Sequence, residues 1–352
     1  WLRGIVTFNR IYNCLLVFHF NYPSSMNFNL THRPRRIRNN SVLRSLVKEQ
    51  ELCHNDLVLP VFVSEQAQVP EKIDSMPEIF RWPLNLLVSK IKEWQDIGIN
   101  TFAIFPQIQA SKKNPLGSEI LNSDSLVYKT AYEIKAAVDN VALVGDIALD
   151  PYTTHGHDGI LDCNGVVEND RTVEILAQGA VLAAGAGYDL VAPSDMMDGR
   201  VKLIREELDK QNKQNTGILS YSAKFSSAYY GPFRDAIGTG QKTAIDKSCY
   251  QLDPANLREA KRELELDFEE GADILMIKPA EPYLDVIKFA RENFNIPIAA
   301  YQVSGEYSRI WASHLQGWLD LESCALESMH SIKRAGANII FTYFAERIAK
   351  LI

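Results

Sequence analysis

Short apolar runs alternate with longer amphipathic stretches from residue 57 to the end of the chain. The runs are continuously apolar and do not alternate between apolar and polar residues, which is typical of parallel strands buried on both faces. There are eight such runs, at 57–63, 101–106, 141–149, 189–194, 217–222, 274–279, 297–303 and 339–344. The pattern therefore predicts eight parallel strands.

The stretches between the runs carry apolar residues at helical spacing, as Leu87 and Ile91 do in the first of them. The predicted helices cover residues 82–97, 123–138, 170–184, 198–212, 256–270, 282–294 and 321–335. Strand–helix units that follow one another without a linker predict an α/β fold, a (β/α)8 TIM barrel, over residues 51–352. We expect residues 26–50 to be an extended N-terminal arm for oligomer contacts, and residues 1–25 to be a leader that is disordered or not translated.

Composition excludes several function classes. The formal charge is −7, whereas nucleic-acid binding needs clustered positive charge, and the one basic cluster, at 32–38, is better explained as a solvated or interface-docking arm. The chain has no run of about 18 apolar residues, so no membrane span is predicted. Its five cysteines are scattered without C-x-x-C spacing, which favours a reducing, cytoplasmic compartment over disulfides.

Two lysines lie at the C-terminal ends of neighbouring predicted strands, where barrel enzymes place their chemistry. Lys224 follows the fifth run, and Lys278 is the last residue but one of the sixth. Desolvation and a second nearby ammonium both favour the neutral amine, which is the form that attacks a ketone to make a Schiff base. The alternative is that each lysine caps a strand or pairs with an aspartate. Corresponding positions on adjacent strands favour the catalytic interpretation.

Several strings around these lysines resemble one family. They are SYSAKF at 220–225, YGPFRD at 230–235, MIKP at 276–279, PYLD at 282–285 and YQVSGEY at 301–307. From about Arg33 onward the chain is similar to porphobilinogen synthase (5-aminolevulinate dehydratase). The resemblance implies condensation of two 5-aminolevulinate molecules into porphobilinogen and two waters, an early step of heme biosynthesis. It also implies a homo-octamer and no organic cofactor.

The resemblance assigns roles to individual residues. Lys278 would bind the substrate that forms the propionate side of the product, and Lys224 the one that forms the acetate side. Each substrate carries a carboxylate, and the matching residues that would hold these groups are Ser304 and Tyr343 for the first, and Arg234, Lys247 and Gln251 for the second. Guanidinium and ammonium groups are natural partners of carboxylates. Residues 225–250 are expected to form a mobile loop that covers the site.

The residues at the end of the third predicted strand and just after it indicate which metal ion the active site could bind. Many family members have three zinc-binding cysteines at the positions occupied here by Ala148, Asp150 and Asp158. Carboxylates suit Mg²⁺ or no metal, so the chain resembles the zinc-independent, magnesium-responsive bacterial type. Asp146, Asp150 and Asp158 form an acidic cluster that could orient the amine of the acetate-side substrate, relay protons or hold a hydrated Mg²⁺ or monovalent ion. Asp150 and Asp158 are the candidates for the active-site cation, and Asp146 is the candidate for proton transfer. His155 and His157 are expected to support the loop by hydrogen bonding.

A second metal signal lies on the predicted helix 256–270. Glu263 matches the carboxylate that binds an allosteric Mg²⁺ in many bacterial and plant members, and Asp198 would contribute through water. The alternative is a solvated helix face with pairs such as Glu259 and Arg262.

Two other functions remain open from the sequence. A class I aldolase-like barrel needs one Schiff-base lysine and phosphate-binding glycines after the seventh and eighth strands, where only Gly305 occurs. A barrel kept as a binding scaffold would be expected to lack a lysine or Arg234, and all three residues are present.

Overall fold

A computed structural model describes residues 30–238 and 246–352. These residues form two compact units, divided between Lys48 and Glu49. The predicted leader at 1–25 and the first residues of the predicted arm lie outside the described residues. So does the segment 239–245 of the predicted loop.

The second unit is a closed parallel barrel, as predicted. Its strands are β1 (Leu57–Ser64), β4 (Thr101–Gln107), β5 (Ala142–Ile147), β6 (Leu190–Pro193), β7 (Gly217–Lys224), β8 (Ile274–Lys278), β9 (Ile298–Gln302) and β10 (Ile339–Thr342), with β2 (Glu71–Lys72) and β3 (Phe80–Pro83) forming a small hairpin after β1. Parallel pairing of Leu57 with Ile340 joins the last strand to the first. Each of the eight apolar runs therefore forms a barrel strand.

Helices surround the barrel. They are α2 (Leu84–Asp96), α3 (Leu126–Ala137), α4 (Asn169–Ala186), α5 (Arg200–Lys210), α6 (Gly231–Ala236), α7 (Leu257–Glu269), α8 (Leu284–Asn293), α9 (Ser304–Leu315), α10 (Leu321–Ala335) and α11 (Ala345–Ala349). All seven predicted helices are present. Helix α9 was not predicted, because a valine stands at its N-cap and glycine at its second position, where a capping hydroxyl or a strong helix former is the usual signal. Helix α6 corrects the prediction that residues 225–250 are a loop throughout.

The first unit, as far as it is described, contains a 3₁₀ turn at Pro34–Arg38 and the helix α1 (Ser41–Leu46). The Asn40 side chain accepts a hydrogen bond from the Leu43 amide and so caps α1. The apolar side chains of Val42 and Leu46 are 75% and 76% exposed. Whether this segment makes the expected oligomer contacts stays a prediction.

The strands position the functional ends of the barrel. Strands β8 and β9 are buried along their whole length, because helices cover one face and packed side chains fill the interior. In the register of β7 with β8, Lys224 is the partner of Lys278, so both lysines reach the same level of the barrel mouth. Over the described residues, no helix is long and apolar enough to cross a membrane.

Leu143→Ala should lower the free energy of unfolding by about 2–5 kcal/mol, because the Leu143 side chain in β5 is fully buried and its loss leaves a cavity. Leu86→Ala on α2 is the matched control, since Leu86 is 38% exposed, and it should cost about 0.5 kcal/mol or less. Urea denaturation followed by circular dichroism measures both. Equal midpoints for the two variants would contradict the core assignment of β5.

Candidate active site

A small cavity of about 30 Å³ lies at the C-terminal ends of the barrel strands. It is lined by Asp150, Lys224, Tyr230, Phe233, Arg234, Lys247, Gln251, Lys278, Tyr301, Val303, Ser304 and Tyr343. The structure thus brings together both predicted Schiff-base lysines and all the predicted carboxylate-binding residues. Asp158 contacts this group directly, whereas Glu263 lies on α7, outside the cavity.

Lys224 is buried and paired. Its Nζ lies 3.2 Å from Asp158 Oδ1 and also donates a hydrogen bond to the backbone carbonyl of Ser194. The sequence left open whether a lysine here pairs with an aspartate, and for Lys224 it does. Such an ion pair fixes the position of the Lys224 nitrogen at the barrel mouth.

Lys278 is buried among aromatic rings. Its Nζ lies 4.6 Å from the centroid of the Tyr301 ring and 5.0–5.4 Å from the centroids of Tyr221, Tyr230 and Phe233. Removal from water, together with the nearby charge of Lys224, lowers the pKa of Lys278 to about 7. A substantial fraction of Lys278 is therefore a neutral amine at neutral pH.

Lys247 joins two of the predicted aspartates. Its Nζ lies 2.7 Å from Asp158 Oδ2 and 3.6 Å from Asp150 Oδ2. Burial disfavours the charged forms of Lys247 and Asp158. The attraction between opposite charges outweighs this effect, so the two aspartates raise the pKa of Lys247, and the lysines Lys224 and Lys247 lower the pKa of Asp158. The Tyr250 hydroxyl donates to Asp158 Oδ2 at 2.8 Å. The two candidate cation ligands are thus already paired with protein cations in this structure.

Asp146 lies on β5 and is only partly exposed. Burial, followed by repulsion from the Asp150 carboxylate, raises the pKa of Asp146 to about 7. A carboxyl group with such a pKa both accepts and donates protons near neutrality. Its position is therefore compatible with the predicted proton-transfer role.

The candidate carboxylate-binding hydroxyls are held by neighbouring segments. Ser304 Oγ accepts a hydrogen bond from the Phe233 amide at 3.0 Å and donates to the carbonyl of Tyr229 at 3.3 Å. The hydroxyls of Tyr343 and Tyr301 are 3.0 Å apart. Gly305 permits this packing, because a Cβ at that position would lie 2.5 Å from the Tyr229 carbonyl oxygen.

Several lining residues were not predicted from the sequence. The aromatic side chains of Tyr230, Phe233 and Tyr301 form part of the cavity wall, and Tyr250 contacts Asp158. The first three lie within the strings that carry the family resemblance, which is the signal that could have identified them. Tyr250 is three residues from Lys247, and no pattern in the sequence indicates its partner.

The two histidines take part in hydrogen bonds, as expected. His155 Nε2 lies 3.1 Å from the carbonyl oxygen of Pro115, and His157 Nδ1 lies 3.2 Å from the Tyr250 hydroxyl. Burial lowers the pKa of both rings.

Metal ligands are sparse in the described part of the chain, where no three or more His, Cys, Asp or Glu side chains converge in a metal-binding arrangement. Glu263 nevertheless lines a surface cleft together with Asp198, Glu259 and Asp267, and with Arg200. Burial, together with the negative charge of the surrounding carboxylates, raises the pKa of Glu263 to about 7. The positive charge of Arg200 acts in the opposite direction and is outweighed.

Known proteins are similar to this chain in sequence. The family model described as Delta-aminolevulinic acid dehydratase matches residues 31–351. The Delta-aminolevulinic acid dehydratase of Chlamydia pneumoniae is 47% identical over 323 residues, which cover 92% of this chain and 97% of the relative. The chloroplastic relative of the same description from Oryza sativa subsp. japonica is 44% identical over 332 residues, covering 94% of this chain and 77% of the relative.

A crystal structure supports the same grouping. The delta-aminolevulinic acid dehydratase (porphobilinogen synthase) from Toxoplasma gondii ME49, solved in complex with the reaction product porphobilinogen, matches with a TM-score of 0.90 at 42% sequence identity. The match covers 92% of each chain.

The amine of Lys278 should react with a small acylating reagent such as acetic anhydride with a half-maximal rate near pH 7, because its pKa is lowered to about 7 and only the neutral form reacts. The reaction should accelerate as the pH rises from 6 to 8. The exposed Lys210 is the reference residue for the same reagent. Competitive labelling with peptide mass spectrometry reads both residues in one sample, and parallel profiles would show that the Lys278 pKa is not lowered.

Proposed function

The chain belongs to the delta-aminolevulinic acid dehydratase family, and on this basis we propose that Lys224 and Lys278 are the amines through which it binds its substrates. The protein is a lyase, a porphobilinogen synthase that condenses two molecules of 5-aminolevulinate in tetrapyrrole biosynthesis. The observation that carries the proposal is the pairing of Lys224 with Lys278 in the strand register, inside a cavity lined by all the candidate carboxylate-binding residues.

Lys278 acts first in this scheme. The lone pair of its neutral amine attacks the ketone carbon of one 5-aminolevulinate. Uptake of one proton and loss of one water then leave a cationic iminium. The lowered pKa of Lys278 supports this order, and the amine of Lys224 is held in an ion pair with Asp158. Attachment of both substrates makes their coupling effectively intramolecular, which can contribute about 7–11 kcal/mol toward the barrier.

The carboxylates of the two substrates need separate partners. The hydroxyls of Ser304 and Tyr343 would hold the substrate on Lys278, and Arg234, Lys247 and Gln251 would hold the substrate on Lys224. Charge supports this division, since the second group contains two cations suited to a carboxylate. Lys247 would exchange its pairing with Asp150 and Asp158 for the substrate carboxylate.

Asp146 would move protons between the two substrates. The condensation releases two waters and requires protons to be removed from carbon and nitrogen and delivered to oxygen. A carboxyl group whose pKa is about 7 can perform both transfers at neutral pH.

We propose no zinc at the mouth, because the segment after β5 offers Ala148, Asp150 and Asp158, and carboxylates without thiolates are poor zinc sites. We propose that the cleft around Glu263 holds Mg²⁺. Burial is the main cause of the raised pKa of Glu263, and nearby carboxylates add to it against the charge of Arg200, so a cation would favour the charged carboxylate. Mg²⁺ accepts one carboxylate together with several waters. Glu263 would be the direct ligand and Asp198 a water-mediated one. The ion would supply positive charge at a distance from the reacting groups.

The arm and the compartment are further parts of the proposal. The exposed Val42 and Leu46 support oligomer contacts by the arm and thus the expected homo-octamer. We also propose a cytoplasmic location, with the alternative of a plastid, since the relative from Oryza sativa is described as chloroplastic. Sedimentation and cell fractionation test these two points.

Lys224→Ala and Lys278→Ala should each lower the rate of porphobilinogen formation from 5-aminolevulinate about 10³-fold or more, because each removes a nucleophile that forms a covalent intermediate. The colour reaction of the pyrrole product measures the rate. Lys210→Ala, at an exposed position on α5, should leave it unchanged. An enzyme that tolerates the loss of either lysine would refute the two-amine mechanism and favour an aldolase-like reaction at one lysine.

Glu263→Gln should abolish the increase of activity on adding Mg²⁺, since it removes the charged ligand. Glu265→Gln, on an exposed position of the same helix, should retain the increase. Activity of the native protein should persist with a zinc chelator present. Equal Mg²⁺ responses of the two variants would exclude the cleft as the Mg²⁺ site, and strict dependence on Zn²⁺ would exclude the zinc-free mouth.

A further inference from the structure

Four ring faces surround the amine of Lys278. They belong to Tyr221, Tyr230, Phe233 and Tyr301 and are named here the aromatic cage. The distances from Nζ to the ring centroids are 5.0, 5.3, 5.4 and 4.6 Å respectively. All four fall within about 6 Å, the range in which a cation is attracted by the electron-rich face of a ring. The proposed carboxylate-binding and proton-transfer roles do not account for this arrangement.

We propose that the aromatic cage stabilises the iminium formed on Lys278 and favours it over the free ammonium. This inference rests on the Schiff-base role of Lys278 proposed above. In the step concerned, the nitrogen lone pair forms a C–N bond to the ketone carbon. One proton is taken up, the carbonyl oxygen leaves as water, and the positive charge resides on the C=N unit. The charge thus remains inside the cage while the group that bears it changes.

The cage discriminates between the two cations because their hydrogen-bonding needs differ. An ammonium has three N–H donors, whereas the iminium has one and spreads its charge over carbon and nitrogen. Lys278 Nζ has ring faces around it, and the described residues accept no hydrogen bond from it. Each donor that finds no acceptor at a largely buried side chain costs free energy, so the ammonium, with three donors, is penalised more than the iminium, with one.

Contacts hold the rings in place. The hydroxyl of Tyr230 donates to the backbone carbonyl of Lys278 at 3.3 Å, and the hydroxyl of Tyr301 lies 3.0 Å from that of Tyr343. The ring of Phe233 meets the ring of Phe105 edge-on, with centroids 5.3 Å apart. Rings fixed in this way present their faces to the cation without reorganising, as electrostatic stabilisation requires.

Fluorination of Phe233 tests the cage directly. Fluorine withdraws electron density from the ring face and changes its size little. Phenylalanine with one, two or three fluorines is therefore incorporated at position 233. Each protein is incubated with levulinate, a ketone that lacks the amine and stops at the iminium. Reduction with cyanoborohydride and mass spectrometry of the Lys278 peptide give the fraction bound against levulinate concentration.

The iminium formation constant should fall stepwise with each fluorine, by about two- to fivefold over the series. The same substitutions at Phe62 are the matched control. Phe62 is a fully buried phenylalanine whose ring lies 5.8 Å from that of Phe233. Fluorination of Phe62 should leave the iminium formation constant unchanged. Tyr301→Phe keeps a ring face, so its iminium formation constant should stay close to that of the native protein. Tyr301→Leu removes the ring face, so its iminium formation constant should be lower than that of Tyr301→Phe.

The outcomes separate the two proposals. Native protein that is not trapped at Lys278 would overturn both the Schiff-base role and the cage. Trapping at Lys278 with a constant that is indifferent to fluorine at position 233 would overturn the cage alone. An equal decline at positions 62 and 233 would also overturn it, because the effect would then be one of core packing.

Discussion

Asp158 determines how positive charge is distributed at the barrel mouth, because its two oxygens pair with two different lysines. Oδ1 lies 3.2 Å from Lys224 Nζ, and Oδ2 lies 2.7 Å from Lys247 Nζ. Burial and the ammonium of Lys224 favour the neutral amine of Lys278 and lower its pKa, and they outweigh the opposite effect of the Asp146, Asp150 and Asp158 carboxylates. A carboxylate placed against Lys278 would keep that amine protonated and remove the nucleophile. The chemistry of one lysine thus depends on the pairing of two others.

The same distribution of charge makes chemically similar residues unequal. Lys224 is held by an ion pair, whereas Lys278 lies among rings, so two amines at paired positions of adjacent strands have different surroundings. Asp146 and Asp158 differ in a corresponding way. Burial raises the pKa of the first to about 7, and paired cations lower that of the second. A reaction between two identical substrates requires such asymmetry, because each molecule must play a different part.

Much of the fold was predictable because barrel strands are buried on both faces and give continuous apolar runs. Helix α10 has the bounds predicted for it, since an aspartate cap precedes it and a glycine follows. Helix α9 was missed for lack of a cap signal, and the segment 225–250 contains an unpredicted helix. The site lysines were found from their positions at strand ends. The pairing of Lys247 with Asp158 was not found, because no local pattern relates residues so distant in sequence.

The register that makes Lys224 the partner of Lys278 has a consequence for how the chain can vary. Between Ser220 and Ala223, β7 already has one residue more than the paired part of β8, and this irregularity helps set the register in which the two lysines pair. Successive side chains of a regular strand point to opposite faces, so one further inserted or deleted residue in β7 or β8 would turn one lysine away from the mouth. Loops and helices on the outside of the barrel are free of this restriction, since they absorb added length without changing the phase of a strand. The reaction of the two lysines thus restricts the lengths of β7 and β8. We expect insertions and deletions to be tolerated in the outer loops and helices and not in these two strands.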